Sequence, residues 1–121
     1  MSPLALAALM VAGGLLHFVI PRSYQRIVPR LLGHAPMLVA VSGALEISAG
    51  LLLAVPATRR FGAWLSVVLL VGVWPANIQM ALDGGVPDAG FPLDSPVVAW
   101  LRVPLQVPLV LWALRLARRE P

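Results

Sequence analysis

The chain has 121 residues, of which 60% are hydrophobic and only 12% charged, with a mean hydropathy of +0.89. Soluble domains are about one-quarter charged, so the composition excludes one and describes a single integral membrane domain over residues 1–121. The net charge of +4 comes from nine basic residues, all arginine; with no soluble basic face to carry a nucleic-acid footprint, it reads as membrane topology. The absence of cysteine excludes disulfides, thiolate metal sites, Fe–S ligation and CxxC redox chemistry.

The first apolar run, residues 3–20, holds Gly13-Gly14 and, near its end, His17. It lacks the basic leader of a signal peptide and is expected to be a retained helix. In the next stretch, residues 21–34, Arg22, Arg26 and Arg30 recur every four residues while Tyr24, Ile27, Val28 and Leu31 fall at helical spacing. That pattern predicts a short amphipathic helix in the membrane interface, broken or restarted at Pro29. Two readings are open for it: a headgroup anchor, or a lid over a pocket.

The second span, residues 36–56, lies between Pro36 and Pro56 and carries Glu46 near its middle. Its length suits a hydrocarbon core of ~30 Å. An ionisable group at mid-depth costs about 2.5–3.5 kcal/mol even on the lenient insertion scale, so Glu46 needs a partner, a watery cavity or a proton. Ser42, Glu46, Ala49/Gly50 and Leu53 share a helix face of mostly small residues, which lets a neighbouring helix approach closely. Glu46 is therefore expected to face inward.

A short loop, Ala57 to Arg60, leads to the third span, residues 61–82. There Pro75, lacking an N–H, is expected to free the Val71 carbonyl and kink the helix. A Gly/Pro-rich acidic loop from Asp83 to Asp94 follows. Gly84 suits the C′ position, Asp94 or Ser95 can cap the next helix, and Pro96 fits its first turn. The fourth span, residues 96–116, contains Arg102, Pro104, Gln106 and Pro108. The fold class is all-α: a four-transmembrane-helix bundle with a short amphipathic interfacial helix between helices 1 and 2. Arg59, Arg60, Arg115, Arg118 and Arg119 on one side, against Arg22, Arg26 and Arg30 on the other, place both termini in the cytoplasm.

In register at ~1.5 Å per residue, the four spans bring their polar residues to one depth, in the outer half. His17, Glu46, Asn77, Arg102 and Gln106 are the candidate ligand-binding residues. Each also has a structural reading. Arg102 can snorkel to the interface, Glu46 can pair with Arg102 as packing glue, and His17 can be an interfacial hydrogen-bonder. Asn77 or Gln106 can satisfy backbone freed by the prolines. Axial haem ligation lacks a second facing histidine, since His34 falls in a loop, and the loop acids lack calcium-site spacing; no metal site is expected.

The residues resemble the DoxX-like family of small four-helix membrane proteins. The resemblance rests on Ala12-Gly-Gly-Leu-Leu-His-Phe-Val-Ile-Pro21, Tyr24-Gln-Arg-Ile-Val-Pro29, Ser42-Gly-Ala-Leu-Glu-Ile-Ser-Ala-Gly50, Pro75-Ala-Asn-Ile-Gln-Met80 and Arg102-Val-Pro-Leu-Gln106, in that order over roughly residues 10–115. It implies a four-helix bundle of a bacterial inner membrane. Some members of that family are subunits of quinol- or thiosulfate–quinone oxidoreductases, so any catalysis implied is at most that of a subunit. The leading expectation is a site for a quinone-like or other small amphipathic ligand, with quinone as the cofactor and no covalent group. The alternative is a non-catalytic accessory or assembly subunit. Membrane lipid, partner membrane subunits or further copies of the chain are the expected partners.

Overall fold

Serine 2 starts the first helix: its Oγ accepts from the Leu4 and Ala5 amides at 3.2 and 3.4 Å, and Pro3 fills the first helical position of α1 (Pro3–Val19). In the computed structural model, which describes residues 2–28, 33–86, 91 and 94–118, α1 is followed by α2 (Pro21–Ile27), α3 (Ala35–Ala54), a 3-10 turn (Pro56–Thr58), α4 (Arg59–Gly72), α5 (Trp74–Leu82) and α6 (Pro96–Arg118). The elements among the described residues are all helical. Pro29, Arg30, Leu31, Asp88 and Arg119, used in the sequence argument, lie outside them.

Three stretches are long and apolar enough to cross a membrane: Ala35–Ala54, Pro56–Leu82 and Pro96–Arg118. Helix α1 is also apolar but has 17 residues; at ~1.5 Å per residue it extends about 26 Å, a few ångströms short of a ~30 Å core. Membrane-length helices thus number three among the described residues, where the sequence led to four. Leu4, Phe18, Leu51, Phe61, Val68 and Leu111 are among the large apolar side chains exposed on the outside. This is the surface of a membrane protein, with lipid-compatible side chains facing out and small or polar ones facing in.

The third predicted helix differs in two ways. It begins at Arg59 rather than Phe61, because the first residues of α4 turn back onto the end of α3. Arg59 Nε donates to the Leu53 carbonyl at 2.8 Å, and Thr58 Oγ1 donates to the Leu52 carbonyl at 2.8 Å. Carbonyls that the helix end leaves without partners are satisfied this way. The predicted kink is a full interruption: α4 stops at Gly72, α5 starts at Trp74, and the Ala76 and Asn77 amides both reach the Val73 carbonyl at 3.0 and 3.2 Å. Helix α5 ends in a Schellman motif. Gly84 (φ 75°) donates to the Ala81 carbonyl at 3.1 Å and Gly85 (φ 100°) to that of Met80 at 2.9 Å. Ser95 caps α6 by accepting from the Val98 amide at 3.3 Å.

Close packing comes from missing side chains. Helices α1 and α3 cross so tightly that a Cβ on Gly14 would lie 2.7 Å from the Gly43 carbonyl oxygen, and one on Gly43 would lie 2.7 Å from His17 Cβ. Between α3 and α4, Gly62 plays the same part against Ala49 and Leu53. Two apolar clusters result. One unites α1, α3, α4 and α6 around Leu6, Met10, Leu53, Ala63 and Ala113; the other joins Met80, Ala81, Val86 and Ala99, with Tyr24 and Val103 against it.

Candidate functional site

A cavity of about 450 Å³ draws its walls from both clusters, with Met10, Leu69 and Leu70 from the first and Tyr24 and Ala76 from the second. All five candidate residues, His17, Glu46, Asn77, Arg102 and Gln106, line it, as do Ser42 and Val28. The walls come from six helices, since α2 supplies Tyr24 and the broken third span supplies Asn77 from α5 but Leu69 and Leu70 from α4.

Within the cavity the polar groups divide into two kinds. The first kind is committed to the fold. Gln106 Nε2 donates to the Leu70 carbonyl at 2.6 Å, in the turn that precedes the α4–α5 break. Its Oε1 accepts from Asn77 Nδ2 at 3.4 Å. Trp74 Nε1, at the start of α5, donates to the Val103 carbonyl at 2.9 Å, next to Pro104 of α6. The interruption in one helix and the two prolines in another therefore face each other. Gln106 rather than Asn77 serves backbone near Pro75, and the carbonyl it serves is Leu70's, one residue from the expected Val71.

The second kind is the trio of ionisable groups. Glu46 Oε2 lies 3.0 Å from His17 Nε2. The close α1–α3 crossing at Gly14 and Gly43 makes this possible, because it sets the His17 backbone against α3 one turn from Glu46. His17 Nδ1 is 2.7 Å from the Gly13 carbonyl; a carbonyl only accepts, so Nδ1 carries a hydrogen and donates it. Nδ1 is thus hydrogen-bonded, while Nε2 faces Glu46 Oε2 at ion-pair distance without a hydrogen bond to it. The pairing of Glu46 with Arg102 weighed from the sequence is not the one found. Arg102 is instead directed along α5, with Nη1 3.5 Å from Met80 Sδ, a weak acceptor. The carboxyl of Glu46 is paired with His17.

Tyr24 is not among the site residues that the sequence points to. Its ring stacks on that of His17 at a centroid distance of 4.0 Å and an interplanar angle of 24°. Helix α2 thereby lies against the cavity, with Arg22 and Arg26 exposed on its other side. Burial is the main influence on the Tyr24 phenol and raises its pKa above the usual value; Arg102 opposes this and Glu46 adds to it. The hydroxyl therefore stays protonated through neutral pH. The sequence signal that could have found it is that Tyr24 is the single tyrosine of the chain and heads the apolar face of an otherwise arginine-studded helix.

Residues 6–117, nearly the whole chain and every residue of the cavity, match the family described as Domain of unknown function (DUF8561). The chain belongs to that family. No curated protein and no solved structure matches it. In this DUF8561 chain the matched region runs from the first turn of α1 to the last turn of α6, so the His17–Glu46 contact and the α4–α5 break with the α6 prolines facing it both fall within the family domain.

Proposed function

We propose that the protein is a membrane-embedded receptor for a small amphipathic molecule, with a quinone-type headgroup as the leading ligand. The observation that carries this reading is the convergence of four ionisable side chains, His17, Tyr24, Glu46 and Arg102, on one cavity whose walls are otherwise largely apolar. Its volume of about 450 Å³ falls within the ~300–1,000 Å³ of small-molecule sites. The headgroup's carbonyl oxygens need donors. Arg102 offers a guanidinium fork whose one protein contact among the described residues is a thioether, and Tyr24, with its protonated hydroxyl, lines the same space. His17, with Nδ1 bonded to Gly13 and Nε2 facing Glu46, serves to position Glu46 rather than to bind a carbonyl. A bound quinone would supply two-electron, two-proton chemistry, in the role of a subunit of a redox complex, as the DoxX-like resemblance suggests.

The membrane arrangement we propose has four crossings, with α1 making the fourth by local thinning or flanking residues, in a bacterial inner membrane with both termini cytoplasmic. Reporter fusions at residue 121 and within residues 83–94 should then give opposite compartment signals.

A second reading has a specific observation in its favour. Gln106, Asn77 and Trp74 spend their hydrogen bonds on holding the interrupted third span to the proline-bearing α6, which is what an accessory or assembly subunit with a structural polar cluster would need. A thermal melt in detergent with a short-chain 1,4-naphthoquinone separates the two. Under the receptor reading the quinone raises the Tm of the native protein but not that of Ser42→Phe, whose ring fills the cavity. Equal shifts, or none, leave the accessory role.

A further inference from the structure

We propose that the cavity takes its amphiphile as an anion, with an ionised oxygen head seated on Arg102. This rests on the receptor reading and goes beyond it by assigning the ligand's charge. Among the described residues, four ionisable side chains line the cavity: His17, Tyr24, Glu46 and Arg102.

The His17 ring donates from Nδ1 to the Gly13 carbonyl, so a neutral ring presents a bare lone pair at Nε2 to Glu46 Oε2, 3.0 Å away. Oε2 makes no hydrogen bond there, so the contact is one of position: it turns the Glu46 carboxyl to the imidazole and away from Arg102. The phenol of Tyr24 is neutral at physiological pH. The guanidinium of Arg102 is charged at every such pH, and its contact at Met80 Sδ does not compensate it. The acid at the C-terminal end of α5, Asp83, is exposed and accepts from Gln79 Nε2 at 3.1 Å. Arg102 is therefore the charged group of the described lining that no carboxylate touches.

A charge held at membrane depth without a counter-ion is unfavourable, and a neutral headgroup leaves it so. An oxyanion cancels it and engages the guanidinium through charge-assisted, two-pronged hydrogen bonds. The fitting ligand class is a planar oxygen anion on an apolar chain. A fatty-acid carboxylate and the enolate of a hydroxyquinone share that chemistry.

The test uses matched pairs that differ in the head alone, titrated into the full-length protein in maltoside at neutral pH. The first pair is 2-hydroxy-3-decyl-1,4-naphthoquinone and its 2-methoxy ether; the second is decanoate and decanol. The ionised member of at least one pair should bind about tenfold tighter or more, the factor expected for a hydrogen bond to a charged group. Arg102→Gln should erase the preference. Equal binding of ionised and neutral members, or a preference that survives Arg102→Gln, overturns the proposal while leaving the amphiphile receptor intact. Arg102-dependent binding of decanoate with no binding of either naphthoquinone supports the anion site and removes the quinone. Failure of all four to bind removes both. The comparison within each pair is made on the native protein, so it stands even if Arg102→Gln does not fold.

Discussion

Glu46 Oε2 meets His17 Nε2 at 3.0 Å, and the far side of the same imidazole is tied to the Gly13 carbonyl at 2.7 Å. This ordered chain from backbone to carboxyl predicts unequal effects at its two members. In Glu46→Gln the amide can donate to Nε2 and keep the contact, so the loss should stay under about 1 kcal/mol. In His17→Leu the carboxyl is left without a partner in an apolar wall, at a cost of about 1–3 kcal/mol. A double-mutant cycle read by thermal melts in detergent should give coupling between His17 and Glu46 of at least ~0.5 kcal/mol. The same cycle between Glu46 and Arg102 should give less.

Tyr24 offers a direct titration, because no second tyrosine overlaps its phenolate absorbance. Burial disfavours the phenolate, so the midpoint should lie above 10.0, the ordinary phenol value. Arg102 pulls the midpoint down and Glu46 pushes it up, so Arg102→Gln should raise it further and Glu46→Gln should lower it. The folded chain holds this proton more tightly than the unfolded chain does. Stability should accordingly decline as pH climbs past about 10, where the unfolded phenol ionises and the folded one does not. A midpoint unmoved by either substitution would place Tyr24 away from both groups.

The bonds between the interrupted third span and α6 should be unequal as well. Gln106→Leu strands the buried Leu70 carbonyl and should destabilise by about 1–3 kcal/mol. Trp74→Phe loses a part-buried bond to Val103 and should cost about 0.5–1.5 kcal/mol. Hydrogen exchange provides a second readout: amides of α5 should lose protection in Gln106→Leu before those of α3 do.

Two glycines test the packing in opposite directions. Gly43→Ala forces a methyl to within 2.7 Å of His17 Cβ and should cost about 1–3 kcal/mol, as overpacking does. Gly72 ends α4 in open space, with nothing within 4 Å of where an added methyl would lie, so Gly72→Ala should leave the melt unchanged or gain up to about 1 kcal/mol. A Gly43→Ala protein as stable as the native one would mean that α1 and α3 cross less closely than described.

Which polar side chains would gather was legible from the cost of placing them in lipid: the five chosen on that ground all line one cavity. The interruption at Pro75, the Gly84 turn and the Ser95 cap were legible too, because each follows from one residue's own backbone preference. The partner of Glu46 was not. Spacing along α3 shows which face Glu46 occupies but not which helix lies against that face, and the choice of His17 over Arg102 depends on the glycine crossing of α1 with α3. Gln106 shows the same limit. Its need for a partner is visible in the chain, but the carbonyl it finds, 36 positions earlier, depends on the offset between α4 and α6. Helix α1 is shorter than the other apolar helices because an apolar run that ends at proline forms a helix only up to Val19.

The break between α4 and α5, facing the prolines of α6, ties the shape of one helix to that of another. Suppose Pro75 were replaced by alanine and α4 ran straight into α5. The Leu70 carbonyl would then be claimed by its own helix, the amide of Gln106 would lose its acceptor, and the Trp74 indole would swing away from Val103. A repair of one helix would so become an injury to the next. Imperfection here is a shared property, complementary across the bundle like two halves of a torn page. Natural variants that restore a regular helix at Pro75 should be tolerated only where position 106 has given up its amide.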